Sequence, residues 1–228
     1  MPLHMIDGGH RVVQAFFDSN AVGFRRPKAI RFVSGILSPG AYINNRTLPS
    51  HQEEWQQILT PLFAQARKLR NDYDVIASVA TGGVPHGIAI ARELMMPHVI
   101  VKKQEKTHGL GGLIDGDTLI LKGGRILLVE DMASTLSSTL KAMRPLEHEG
   151  ATIAHTLLLN TWDLPDFRHN IGEHSLHVLC TGAMYLDWAT TYKLLDDEHA
   201  AIVRHWLEHP EDEGWAKDCK WVLPEEKK

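Results

Sequence analysis

Residues 125–139 read RILLVEDMASTLSST. An apolar run, Ile126 to Val129, meets two carboxylates, Glu130 and Asp131, and then a string of small hydroxyl residues. A helical pattern opens near Ser138 and continues through Leu140, Met143 and Leu146. This predicts a strand covered on both faces that stops at a polar loop leading into a helix. In an open α/β sheet, ligands lie beyond the carboxyl ends of the strands, where a helix N-terminus offers unpaired N–H groups to an anion. Two carboxylates at a strand tip accept hydrogen bonds from a sugar diol, and Ser134, Thr135, Ser137 and Ser138 donate to a phosphate beyond it. Taken alone, the same residues also read as a strand end with an Asp/Ser cap.

Working outward, residues 75–80 form a second apolar run followed by Thr81, Gly82 and Gly83, whose backbone N–H groups can approach an anion with no side chain in the way. Pro85 opens a helix with Ile88, Ile90, Ala91 and Leu94 on its buried side. Residues 99–101 predict a short strand running into KKQEKTHGLGGLIDG, where Lys102, Lys103, Lys106 and His108 gather charge beside Gly109, Gly111 and Gly112. That segment reads either as a basic lid or as a solvated hairpin tip. Residues 118–121 are expected to pair with 126–129 around Lys122, Gly123 and Gly124.

Upstream, a helix is expected over residues 12–21, then strand, turn and strand over 29–46. Ser50 is expected to cap the next helix, with Glu53 at the capping-box spacing and Trp55, Ile58, Leu59, Leu62 and Phe63 in helical period. Downstream, Gly150 ends a helix and 152–159 is the next parallel strand. Leu194, Leu195, Ile202, Val203, Trp206 and Leu207 predict an amphipathic tail helix. His205 and His209 lie four apart on it, but no third ligand accompanies them, so no metal site is expected.

The 228 residues suit one large domain, with 43% apolar and 23% charged residues. A net charge of -4 argues against a broad nucleic-acid surface. The opening MPLHMIDGGHRVV has no basic region followed by an apolar run, so no secretory signal is expected, and no window is apolar enough for a membrane span. Cys180 and Cys219 make no disulfide framework, and a cytoplasmic setting is expected.

The stretch at 125–139 resembles the phosphoribosyl-pyrophosphate (PRPP) motif of type I phosphoribosyltransferases. VIASVATGGVPHGIAIARELMMPHVIVKKQEKTHGLGGLIDG from Val75 and FVSGILSPGAYINNR from Phe32 resemble the orotate phosphoribosyltransferases in particular. The resemblance implies an α/β fold with a central, mostly parallel sheet flanked by helices. It also implies a small hood over about residues 1–50, a core over about 70–185 and a helical tail over about 186–228, all in one domain. The implied reaction is transfer of phosphoribosyl from PRPP to orotate, with Mg²⁺, in a homodimer whose basic lid reaches the neighbouring site.

By the same resemblance, Glu130 and Asp131 hold the ribose hydroxyls, with Asp131 also facing the ring charge. Ser134, Thr135, Ser137 and Ser138 take the 5′-phosphate. Thr81, Gly82 and Gly83, with Lys102, Lys103, Lys106 and His108, take the pyrophosphate, Lys106 and His108 acting in catalysis. Ser34, Tyr42 and Trp162 fall on the base side. No Ser/His/Asp arrangement is expected, because no covalent nucleophile is needed.

Three departures bear on the base. Leu136 stands where the loop normally has glycine, Val33 where a lysine is usual, and Thr161 and Trp162 where an Asp-Arg pair meets the orotate carboxylate. They leave open the same transfer to another base, with Trp162 stacked on its ring, and a non-catalytic sensor of PRPP or nucleotides.

Overall fold

The computed structural model describes residues 3–102, 112–217 and 221–224. The chain opens with a two-residue strand, β1 (His4–Met5), and helix α1 (Gly9–Asp18), which buries Val12, Val13, Ala15 and Phe16. Four short strands follow: β2 (Val22–Phe24), β3 (Ile30–Arg31), β4 (Leu37–Ser38) and β5 (Ala41–Ile43). They pair antiparallel as β2 with β5 and β3 with β4, which makes the hood. A 3₁₀ turn over Asn45–Ser50 leads into α2 (Gln52–Lys68). Ser50 therefore belongs to the preceding turn, and the helix begins after His51 with no side-chain cap, which corrects the expected capping box.

The core strands come next, alternating with helices: β6 (Val75–Val79), α3 (Val84–Leu94), β7 (His98–Val101), β8 (Ile114–Asp115), β9 (Arg125–Ala133), α4 (Ser137–His148), β10 (Thr152–Thr161), α5 (Pro165–Asn170) and β11 (Leu176–Thr181). Helices α6 (Gly182–Thr191) and α7 (Asp197–Glu208) complete the set. The main sheet has seven strands in the order β1-β11-β10-β9-β6-β7-β8. Every pairing is parallel except β7 with β8. The central strands are apolar on both faces because helices cover both, and Ile76, Ile126, Leu127, Leu128 and Val129 are fully buried.

Two boundaries differ from expectation. Strand β9 does not stop at the carboxylates: β10 runs beside it through Leu158↔Glu130, Asn160↔Met132 and Thr161↔Ala133, so the ladder carries the acidic pair to the sheet's end. Residues 118–121 form a 3₁₀ turn instead of a strand, because Asp117 accepts from Leu119 N and closes the turn. The strand antiparallel to β7 is Ile114–Asp115.

The tail packs on the hood. Trp206 of α7 lies 6.0 Å from Phe32 and 5.5 Å from Trp162, ring centre to ring centre. Past it, Trp221 is buried in a small cluster with Ala29 and Leu37, and Val222 exchanges backbone hydrogen bonds with Pro27 and Ala29. Among the described residues no helix is long and apolar enough to cross a membrane. Cys180 is a free, buried thiol, pushed up to about 12 by that burial.

Candidate active site

Strands β6 and β9 lie side by side, in register up to Ser78↔Val129, and release their chains at the same end of the sheet. After β6 the Ala80–Thr81 peptide is cis, and Gly82 and Gly83 lead into α3. A Cβ on Gly82 would overlap the carboxylate of Asp131, and one on Gly83 would press on the carbonyls of Val129 and Val79. The paired glycines thus let the loop close directly onto the acidic strand tip. The Thr-Gly-Gly loop and Asp131, which are about fifty residues apart in the chain, form a single cradle.

The two carboxylates divide their surroundings. Glu130 is fully buried, and the Thr139 hydroxyl of α4 donates to its Oε2 at 3.3 Å. Asp131 is partly exposed, so of the expected pair only Asp131 is open to a ligand in this conformation. Beyond it, Ser134 and Thr135 are half-buried and Ser137 and Ser138 exposed. The Thr135 hydroxyl donates to Ser137 Oγ at 3.2 Å, and Asn170 Nδ2 holds the Thr135 carbonyl at 2.8 Å. No side chain caps α4, so its first N–H groups face the hydroxyl loop as an anion site requires.

Leu136 takes the left-handed backbone the loop demands, with φ 65° and ψ -12°. Its side chain is 1% exposed and sits in a cluster with Ala133, Phe167, Ile171 and Val178. The side chain does not crowd the loop's ligand face, because it is buried in the core beneath the loop. Left-handed backbone costs a non-glycine residue roughly 1–2 kcal/mol. Burying a leucine side chain gains roughly 1.5–3 kcal/mol and offsets that cost.

Several expected residues lie elsewhere. Trp162 is 1% exposed and wedged among Phe24, Tyr185 and Trp206, so it cannot stack on a base; this corrects its base-side assignment. Lys102, at the end of β7, is paired with Asp115 of β8 at 2.6 Å. Ser34 is exposed in the β3–β4 turn, next to a fully exposed Val33. Tyr42 lies against Gly23 with Arg25 over its ring at 4.2 Å, and it lines a depression shared with Trp188 and Tyr192. Lys103, Lys106 and His108 lie outside the described residues.

A Ser/His/Asp contact set does occur, contrary to expectation, at the opposite end of the sheet. His155 Nδ1 is 2.8 Å from Ser175 Oγ and its Nε2 is 3.3 Å from Asp72. The same Ser175 and His155 both contact His177 Nε2 at 3.3 Å, which makes this a shared hydrogen-bond cluster. On the active side, sequence reasoning missed Asn45, whose Nδ2 donates to the Asp131 carbonyl at 2.8 Å. A doubled asparagine after a strand reads as a turn, and nothing local points to a partner 86 residues away.

Residues 51–163 match the family described as a phosphoribosyl transferase domain. The orotate phosphoribosyltransferase of Coxiella burnetii is 30% identical over 202 residues, which is 88% of this chain and 95% of that protein. Among solved structures, Leishmania donovani UMP synthase aligns with a TM-score of 0.72 at 22% identity, covering 88% of this chain and 42% of that one. The orotate phosphoribosyltransferase of Aeropyrum pernix aligns at 0.63 and 22% identity, covering 78% of this chain and 99% of that one. The two structural likenesses speak for the fold, and the identity with the Coxiella protein, carried over almost its whole length, speaks for more: this chain belongs to the orotate phosphoribosyltransferase family.

Proposed function

We propose that this chain transfers the phosphoribosyl group of PRPP to orotate, giving orotidine 5′-phosphate and pyrophosphate, as a step of pyrimidine nucleotide biosynthesis. The observation that carries the reading is the closure of Gly82 onto the Asp131 carboxylate at the ends of adjacent parallel strands. That closure sets the Thr-Gly-Gly loop against Asp131, which supports reading the two as the anion-binding and ribose-binding sides of one site.

In the transfer, the bond from ribose C1′ to the pyrophosphate oxygen breaks as a nitrogen of the base bonds to C1′, and positive charge develops on the sugar ring. Asp131 accepts from the ribose hydroxyls and sets its negative charge against that ring. The N–H groups opening α4, with Ser134, Thr135, Ser137 and Ser138, hold the 5′-phosphate. The Thr81-Gly82-Gly83 backbone faces the pyrophosphate. Lys103, Lys106 and His108 are assigned to the lid that offsets the charge of the departing pyrophosphate and keeps water out.

Among the described residues no three His, Cys, Asp or Glu side chains converge on a metal position. This donor set fits Mg²⁺ that arrives with the diphosphate and takes at most one or two carboxylates, Asp131 being the one at hand. When bound, the ion neutralises charge on the leaving pyrophosphate.

Ile88, expected on the buried side of α3, is instead 48% exposed, and with Met95 at the helix end, 79% exposed, it favours a homodimer that covers them. The free Cys180 thiol accords with a reducing cytoplasm. The alternative of a PRPP sensor loses its motive, since Leu136 keeps the loop's backbone and leaves the cradle open. The test is pyrophosphate release from PRPP and Mg²⁺ with orotate, uracil, adenine and hypoxanthine in parallel. Orotate-dependent release supports the reading, and release with another base alone, or with none, refutes it.

A further inference from the structure

Three buried polar side chains run in a row behind the acidic tip. Tyr185 OH donates to Asn160 Oδ1 at 3.0 Å, Asn160 Nδ2 donates to Asn45 Oδ1 at 2.8 Å, and Asn45 Nδ2 donates to the Asp131 carbonyl at 2.8 Å. Tyr185 and Asn160 are fully buried and Asn45 is 1% exposed. The direction of the row is forced by its end. A carbonyl only accepts, so Asn45 must present its NH₂ to Asp131 and its oxygen to Asn160, and Asn160 must then present its own oxygen to the tyrosine hydroxyl. Each bond polarises the next toward the carbonyl.

The row answers a gap in the sheet. Register between β6 and β9 ends at Ser78↔Val129, because β6 turns away into the glycine loop. Past that point β9 has lost a neighbour, and a buried carbonyl without a donor is costly. Asn45 supplies the donor from the hood. The row also ties together Asn45 after the hood, the end of β10 and α6.

We propose that Asn45 is a positioning residue: braced by Asn160 and Tyr185, it holds the backbone of Asp131 so that the carboxylate meets the ribose of PRPP. The inference rests on the role given to Asp131 above. Asn45 itself touches no reacting atom, and its effect must pass through Asp131.

Steady-state pyrophosphate release and thermal unfolding are measured for the intact protein and for Asn45→Leu, Tyr185→Phe, Asp131→Asn and the double variant Asn45→Leu/Asp131→Asn. Asn45→Leu is expected to lower kcat/KM for PRPP roughly tenfold, the scale of one lost buried hydrogen bond, at an unchanged KM for orotate. Tyr185→Phe, at the far end of the row, gives a smaller loss of the same kind and serves where the asparagine variant folds poorly. In the Asp131→Asn background, Asn45→Leu lowers the residual kcat/KM no further.

A lower melting temperature with unchanged kcat/KM in both Asn45→Leu and Tyr185→Phe would make the row purely structural and overturn the proposal. A full tenfold loss persisting in the Asp131→Asn background would overturn it as well. Turnover of Asp131→Asn at the parent's rate would instead remove the role of Asp131 itself, and the inference with it.

Discussion

The indole N–H of Trp55 on α2 donates to Nδ1 of His86 in the first turn of α3, across 3.0 Å. The neutral ring therefore carries its proton on Nε2, which is buried without a described partner. Burial pulls His86 down from 6.5 to about 4. Unfolded, the imidazole takes up its proton near 6.5; folded, only near 4. Between those values the unfolded state holds more protons, so stability is complete above pH 6.5 and is lost as pH falls toward 4. For this one ring the loss is on the order of 3 kcal/mol. His177, brought down to about 4 by burial and then by His155, His4 and Lys68, acts in the same direction. Urea unfolding at pH 7, 6 and 5 is expected to show a falling midpoint. His86→Gln, which still accepts from Trp55, flattens it, and an unchanged slope in that variant would contradict the assignment.

Asp131→Asn is expected to abolish most transfer while leaving the melting temperature within a few degrees of the parent. The residue is partly exposed at a strand tip, and its described tertiary bond is made by its backbone. Pyrophosphate release and thermal unfolding on the same preparation check both halves.

Leu136→Gly relieves a left-handed leucine but empties its place beside Phe167 and Val178. The cavity outweighs the relief. Removing a buried leucine side chain costs roughly 2–5 kcal/mol against roughly 1–2 recovered from the backbone, a net loss of up to about 4 kcal/mol. PRPP affinity stays near the parent's because the cradle's backbone is unchanged. Denaturant midpoints and isothermal titration with PRPP and Mg²⁺ separate the two effects.

Trp162→Phe is expected to lower stability while leaving base preference alone, and Trp162→Ala to lower it by roughly 3–5 kcal/mol. The indole is enclosed by Phe24, Tyr185 and Trp206 and does not reach a ligand. A changed ranking of bases in the release assay for Trp162→Phe would restore the stacking role.

The parallel core was legible wherever an apolar run stood between punctuating residues. Ile126 to Val129 before two carboxylates, and Val75 to Val79 before Thr81-Gly82-Gly83, announced both strands and the loops that follow. What stayed hidden depended on partners distant in the chain. Glu130 and Asp131 look like the end of a strand, yet β10 prolongs it by two residues, Met132 and Ala133, in a register that only the neighbouring strand supplies. Trp162 follows a strand in the same way a substrate contact would, and only the arrival of α7 with Trp206 makes it core. Leu136 was visible as an oddity, but the hydrophobic cluster that absorbs it is assembled from β9, α5 and β11. Asn45 carried no local sign of its bond to Asp131.

The hood is finished by the far end of the chain: Val222 N donates to the Pro27 carbonyl at 2.8 Å, and Ala29 N to the Val222 carbonyl at 2.9 Å. Pro27 and Ala29 are thus tied to a residue that follows them by 195 and 193 positions, so the hood cannot be completed until that segment has been made. The parallel core can gather while that cover stays open. Closing so wide a loop is slow compared with local helix formation, so the contact of Val222 with Pro27 and Ala29 is expected to form late in folding. A folding chain is expected to pass through a stage in which the sugar-phosphate cradle is built and the hood over it is not.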